Sequence, residues 1–405
     1  RVRSVRSLAQ RPVRQRTGRF VVEGPQGVRE AVRCAADRVV DVYLTAQAME
    51  RYAADIAAPA RAATTHNAGA ASRQPPGVPM FIVDAHLDIA YNALNKGRDP
   101  RRKLTEIRAA EAPAYARGIP TVSFSAMRRG GVGLAFATLF NSPRDNPFPD
   151  GSEEDECYST AEEAHRLGMK QVDFYRRLVD EDETLRLVTD RATLDEVVAS
   201  HAASGEDARP LLGLLLLMEG ADHIRVPEET ELWRDAGVRV IGPAWDDTRY
   251  CDGAWRGSKT GLSAAGRRLL EVMADLGLIL DLTHMSEIAA LQSLDAYAGP
   301  VVATHANARA LVPTERQLGD KQIRLIGERD GMIGCVLFNA FLRAGYRKGD
   351  NKATVTLDHV VAHIDHVCQL IGDARHAGIG SDLDGGFGAA DIPTPLDSIA
   401  DLRLI

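Results

Sequence analysis

No apolar run in this 405-residue chain approaches the roughly 18–20 residues that a membrane-spanning helix needs. The richest run, residues 211–218 (LLGLLLLM), has the length of a buried strand, so no membrane partner is expected. No signal peptide is visible at the start. No internal repeat recurs along the chain. None of the five cysteines (Cys34, Cys157, Cys251, Cys335, Cys368) forms a CxxC pair, a pattern of reduced, mostly buried thiols that suits the cytoplasm. An exported protein would instead allow a Cys157–Cys251 bridge. Positive charge is in deficit: the net charge of −7 argues against nucleic-acid binding by the whole chain, while leaving room for a basic segment. Apolar residues at 45% and charged residues at 26% are ordinary for a globular protein, and the length implies one large domain plus something smaller.

After residue 79, eight short apolar runs follow one another: 81–84, 133–140, 211–218, 238–244, 278–282, 301–304, 332–338 and 377–381. The segments between them are long enough for helices, and several carry helix signals. Ser263 is placed to cap a helix that buries Leu269, Leu270, Met273 and Leu276 and stops at Gly277. Ser159 with Glu162 reads as a capping box for a helix running to about Val179. Thr356 opens a stripe of Leu357, Val360, Val361, Ile364, Val367, Cys368 and Ile371. Eight strands alternating with helices predict a (β/α)8 TIM barrel over residues 80–405, with its chemistry at the carboxyl ends of the strands.

Those ends are rich in metal-ligand side chains. His86 and Asp88 follow the first run two residues apart, and alternate residues of extended backbone point the same way. Glu219 ends the third run, where a buried carboxylate needs a cation or metal, and two metals could share its charge. The fifth and sixth runs both end in Thr-His, presenting His284 and His305 as neutral imidazole ligands. Asp382, first beyond the eighth run, is best placed to exchange a proton with an activated water, with Asp384 close by. Gly380, Gly385 and Gly386 are expected to let the backbone turn there. Other candidates are weaker. His359, His363 and His366 share a helical face opposite the apolar stripe, lack the Glu of an HExxH site, and are expected to face solvent. His223 and His376 show no partner in the sequence. Met285, Trp245 and Trp255 read as packing or pocket wall.

Upstream, residues 1–20 contain seven arginines and no acidic residue, a composition able to grip phosphates. A solvated basic arm or a transit peptide has the same composition. The stretch SLAQRPVRQRTGRFVVEGPQGVREAV, with the apolar run 39–44 after it, parses as a small α/β segment over 1–52. It resembles the start of the substrate-binding domain of SpoU-type RNA ribose methyltransferases, which implies a weak RNA contact; the resemblance covers only about residues 2–50. The Ala/Pro-rich residues 53–79 read as a linker.

From about residue 80 to 390, the ordered motifs DAHLD, GGVGLAFATLF, MEGAD, DLTHMS, THANARALVPTERQL and GIGSDLDGG resemble the membrane (renal-type) dipeptidases and their bacterial relatives. That resemblance implies Zn2+, two per chain: His86 and Asp88 on one ion, His284 and His305 on the other, Glu219 bridging. It implies hydrolysis of dipeptides by a metal-bridging hydroxide, with Asp382 as the proton shuttle. Arg316, eleven residues after His305, falls where the family binds the substrate's terminal carboxylate, and Tyr91 falls at an aromatic pocket position. One stretch departs. Where the family often has a His after the fourth strand, this chain reads GPAWDDTRY, with Trp245 or Asp246 in its place. A hydrolase of other small amides or lactones is the alternative that this departure prompts; an RNA-binding protein carrying an inactive barrel is another. The C-terminal region is expected to be cut short relative to the family, and a homodimer is compatible with this reading.

Overall fold

The computed structural model describes residues 41–44, 64–67, 80–115, 118–146, 156–202, 210–256 and 260–405. The chain divides into two compact units, Arg1–Val78 with Gly372–Ala374, and Pro79–Ile371 with Arg375–Ile405. In the first, β1 (Asp41–Leu44) pairs in parallel with β2 (Thr64–Asn67), in register from Asp41↔Thr64 to Leu44↔Asn67. The second strand lies inside the stretch read as linker, which is therefore not structureless throughout. Its two threonines are β-branched and favour extended backbone even in Ala-rich surroundings. The Arg-rich residues 1–20 and the stretch expected to contact RNA up to residue 40 lie outside the described residues.

The second unit is the barrel. Its sheet contains β3 (Ile82–Leu87), β4 (Val132–Phe140), β5 (Leu185–Leu187), β6 (Leu212–Glu219), β7 (Val238–Gly242), β8 (Ile279–Asp281), β9 (Val301–Ala303), β10 (Met332–Cys335) and β11 (Ala377–Ile379). All eight apolar runs form strands. Parallel pairing runs β3–β4–β6–β7–β8–β9–β10–β11, and the Ile379↔Asp84 pair closes the ring. The ninth strand, β5, has no counterpart among the apolar runs. It joins the edge of β6 ahead of β7, pairing Leu185↔Leu212 through Leu187↔Leu214. Three residues with an Arg at the centre leave too short a signal to read as a strand. Nearly every side chain of β4 and β6 is buried, as expected where barrel interior and surrounding helices cover both faces of a parallel sheet.

Helix signals were largely local, and so largely legible. The Ser263 hydroxyl accepts from the Gly266 N–H at 3.0 Å and opens Ala264–Asp275, which buries Leu269, Leu270 and Met273. The capping box stands one residue later than the sequence suggested. Thr160 Oγ1 accepts from the Glu163 N–H, Glu163 accepts from the Thr160 N–H, and the helix is Ala161–Glu181. No helix among the described residues is long and apolar enough to cross a membrane. Cys251, Cys335 and Cys368 are buried free thiols, so the Cys157–Cys251 bridge does not form.

One expectation fails on the helix Leu357–Ile371. Its buried residues are Val360, His363, Val367 and Cys368, while Val361 is exposed. His363 lies three residues after Val360 and four before Val367, which places it on the apolar face, not the solvated one. Its Nδ1 accepts from the Ala308 N–H at 3.1 Å, and Nε2 stands 3.2 Å from the Leu342 carbonyl, to which it donates. His366 pairs with Asp320 at 2.8 Å, so this face is a packing seam. Burial pushes the His363 imidazole down to about 4. Because that lies below the usual value near 6.5, protonation favours unfolding, and the stability His363 provides is complete above pH ~6.5 and lost as pH falls toward 4. Between pH 7 and 5 the loss should be on the order of 1–2 kcal/mol. Thermal melts of wild type and His363→Gln over that range should show a shallower pH slope for the variant; equal slopes would mean another group carries it.

Candidate metal centre

The sequence-predicted ligands meet at the carboxyl end of the barrel. His86 sits within β3, which continues past the apolar run through a register shift against β4, and Asp88 follows the strand directly. Glu219 is the last residue of β6. His284, His305 and Asp382 lie just beyond β8, β9 and β11. His284 and Asp382 hold left-handed backbone, with φ of 65° and 57°. Non-glycine residues rarely adopt it, and such strain concentrates where side chains are aimed at a site.

Glu219 is at the centre. Its Oε2 is 3.5 Å from His86 Nε2, while Oε1 is 3.1 Å from His284 Nε2 and 3.4 Å from His305 Nε2. Asp88 and Asp382 each place an oxygen 3.9 Å from His86 Nε2. Three triads arise, His86/Asp88/Glu219, Glu219/His284/His305 and His86/His305/Asp382, each with its ligand atoms within 4.8 Å. All these residues are buried except Asp382, which is partly open to the cavity.

The electrostatics show a site short of positive charge. Burial pushes Asp88 up to about 6 and Asp382 well above the usual carboxylate range. Burial opposes charge on His86 too, yet Glu219, Asp88 and Asp382 outweigh it and hold that imidazole up at about 10. Burial also opposes the Glu219 carboxylate, but His86 and His284 overcome it and keep its pKa below normal. His284, pressed down to about 4 by burial and Arg316, and His305, pressed well below normal by burial and His86, stay neutral with lone pairs available. Both ring nitrogens of His86 and the Nδ1 of His284 are buried without a hydrogen bond to any described residue. Three carboxylates, neutral imidazoles and orphaned ring nitrogens fit divalent cations.

Asp384, the other carboxylate at this strand end, already has its partners. Its carboxylate accepts from Thr121 N (2.8 Å), Thr121 Oγ1 (2.7 Å) and Val122 N (3.1 Å), and Arg98 stands 3.6 Å away. The glycines also differ from expectation. Of the three, only Gly386 is left-handed, whereas a Cβ on Gly385 would strike Asp382 Oδ1 and one on Gly380 the Thr304 carbonyl. Close approach, not turning, explains those two.

Tyr91 lines the cavity. Its ring is 5.2 Å from Phe140, and its hydroxyl lies 3.3 Å from both Glu156 and Lys96. The structure separates the two candidates after the fourth strand. Asp246 is buried and turned away, paired with Arg256 at 2.7 Å. Trp245 faces the cavity, its ring 5.0 Å from Phe140 and 6.1 Å from His284. Arg316 is buried beside the ligands, with Nη2 3.0 Å from both His284 Nε2 and the His305 carbonyl. Sequence reasoning missed Asp84 and Asp281. Asp84 accepts from Ser381 N at 2.7 Å and from the Ser381 hydroxyl, tying β3 to the end of β11. They sit at or next to the end of apolar runs, where the burial argument applied to Glu219 holds equally.

The chain matches the family model described as membrane dipeptidase (Peptidase family M19) over residues 78–402. Among similar curated proteins, the "Uncharacterized protein in pqqA 5'region" of Klebsiella pneumoniae is 38% identical over 178 residues, 42% of this chain and 63% of that protein. Dipeptidase tcpJ of Claviceps purpurea is 39% identical over 125 residues, 31% of this chain and 28% of that one. The matched stretches thus span less than two thirds of either relative. Among solved structures, a metallo peptidase from Rhodobacter sphaeroides liganded with a phosphinate mimic of the dipeptide L-Ala-D-Ala is 25% identical, with a TM-score of 0.62, covering 80% of this chain and 90% of that one.

Proposed function

The chain belongs to the membrane dipeptidase family, peptidase family M19, and we propose that it hydrolyses dipeptides with two zinc ions. His86, Asp88 and Glu219 would hold one ion, and Glu219, His284 and His305 the other. The observation that carries this reading is the Glu219 carboxylate, whose two oxygens face different histidines. When bound, zinc ions supply Lewis-acid polarisation of the scissile carbonyl and an acidified water. The protein's own groups do the rest. Asp382, partly open and raised in pKa by burial, takes the water's proton and returns it to the leaving amine. Arg316 binds the substrate's terminal carboxylate. Tyr91, Phe140 and Trp245 wall the pocket and exclude water. The phosphinate dipeptide mimic in the similar structure supports the substrate class. Unbridged buried thiols fit the cytoplasm as its compartment.

Metal analysis with a small dipeptide panel tests the reading. Wild type should hold close to two zinc equivalents. Glu219→Gln, which removes the charge both sites share, should retain fewer than one, and His284→Ala should empty mainly one site. Full occupancy in the Glu219 variant would refute the bridging role. A second reading, hydrolysis of other small amides or lactones, is favoured by one observation, the indole of Trp245 in the cavity where a donor imidazole would serve an oxyanion better.

A further inference from the structure

Asp281 ends β8 three residues before His284, and its buried carboxylate is filled from two strand ends. Oδ1 accepts from Thr283 N (3.0 Å), Thr283 Oγ1 (2.7 Å) and Thr304 N (2.9 Å). Oδ2 accepts from Thr304 Oγ1 at 2.6 Å, and the same Oγ1 lies 3.0 Å from His305 Nδ1. A hydroxyl has a single proton. With that proton committed to a carboxylate, Thr304 can only accept from His305. That bond places the His305 ring hydrogen on Nδ1 and leaves the Nε2 lone pair 3.4 Å from Glu219 and 2.9 Å from His284 Nε2, which accepts from Arg316, a cluster of acceptors suited to a cation.

We propose that Asp281 is a positioning residue that, through the Thr304 hydroxyl, fixes His305 as the Nδ1–H tautomer and so keeps Nε2 open for a metal. The same carboxylate holds the ends of β8 and β9 together, which sets the spacing of His284 and His305. This rests on the proposed ligand role of His305, but the tautomer can be read without metal or substrate. At β3 the arrangement differs: Asp84 accepts from the His86 backbone N–H and from Ser381, and no hydroxyl links it to the His86 ring among the described residues.

Asp281→Asn tests the relay by reversing it. The Asn carbonyl must stay against the N–H groups of Thr283 and Thr304, which can only donate. Its NH2 then takes the place of Oδ2 and donates to Thr304 Oγ1. The Thr304 proton turns to His305 Nδ1, and the ring hydrogen moves to Nε2. In the metal-free full chain labelled with 15N-histidine, the His305 signal, identified by its loss in His305→Gln, should read Nδ1–H in wild type and Nε2–H in the variant. Zinc binding against a competing chelator should weaken roughly 10–100-fold, the usual cost of losing an outer hydrogen-bond partner. Thr304→Val should weaken it similarly, whereas Thr304→Ser, which restores the hydroxyl, should stay within about threefold of wild type. An Nε2–H tautomer in wild type, an unchanged tautomer in Asp281→Asn, or equal zinc affinity in Thr304→Val and Thr304→Ser would overturn the proposal. Should Asp281→Asn fail to fold, the Val/Ser pair still decides. A tautomer switch with loss of zinc affinity, in a protein that cleaves no dipeptide, would uphold the relay and overturn only the dipeptidase reading.

Discussion

Asp382→Asn should lower dipeptide turnover by roughly 10²–10⁴-fold, the usual contribution of a general acid–base group, while leaving both zinc equivalents in place. The substitution is a clean probe for a backbone reason. Asp382 holds φ 57°, and Asn tolerates left-handed backbone at least as well as Asp, so the end of β11 should keep its shape. An amide cannot accept a proton and give it back, so chemistry is what is lost. Asp382 is also the group of its triad most open to the cavity, and burial raises its pKa, which favours taking up a proton. Zinc analysis beside turnover distinguishes a proton shuttle from a metal ligand. Loss of metal would make Asp382 a ligand, since its oxygen stands 3.9 Å from His86 Nε2. Activity within a few-fold of wild type would make another group the shuttle. Asp384 could not easily take over, because Thr121, Val122 and Arg98 already occupy its carboxylate.

What was legible in the sequence was what neighbours in the chain decide. Strands buried on both faces read as continuous apolar runs, and the candidate ligands just past five of the eight runs needed no knowledge of the rest of the fold. What was illegible depended on residues far away. Asp384 looks as able as Asp382 until Thr121, 263 residues earlier, is seen to fill it. Trp245 and Asp246 are interchangeable until Arg256 claims the aspartate. His363 is a different failure. Its period places it with Val360 and Val367, but its polarity suggests solvent, although a buried imidazole can be satisfied by one backbone donor and one backbone acceptor. Asp84 and Asp281 were legible in principle, since a carboxylate within or ending a buried strand needs partners wherever it occurs.

Selectivity gives the other large effect. Arg316 is buried, and among its donors Nε and Nη1 make no hydrogen bond with any described residue, while its guanidinium lies 5.4 Å from the Phe341 ring. Unpaired buried donors are costly, and burial presses this guanidinium down to about 10, so a carboxylate arriving there would relieve both. The free acid of a dipeptide carries that group, and its amide does not. Arg316→Met keeps the length and apolar stem but removes the charge. For free dipeptides kcat/KM should fall well over tenfold, mostly through KM, because a hydrogen bond to a charged group contributes about 1.5–3 kcal/mol. Amidated dipeptides never use the contact, so they should be poor substrates of both forms and change little. Equal losses on the two series would mean that Arg316 acts by holding the His305 carbonyl and His284, its other partners, and is structural. A wild-type preference for amidated or lactone substrates would instead shift the assignment to the second reading, since a site built to seize a terminal carboxylate has no reason to favour molecules that lack one.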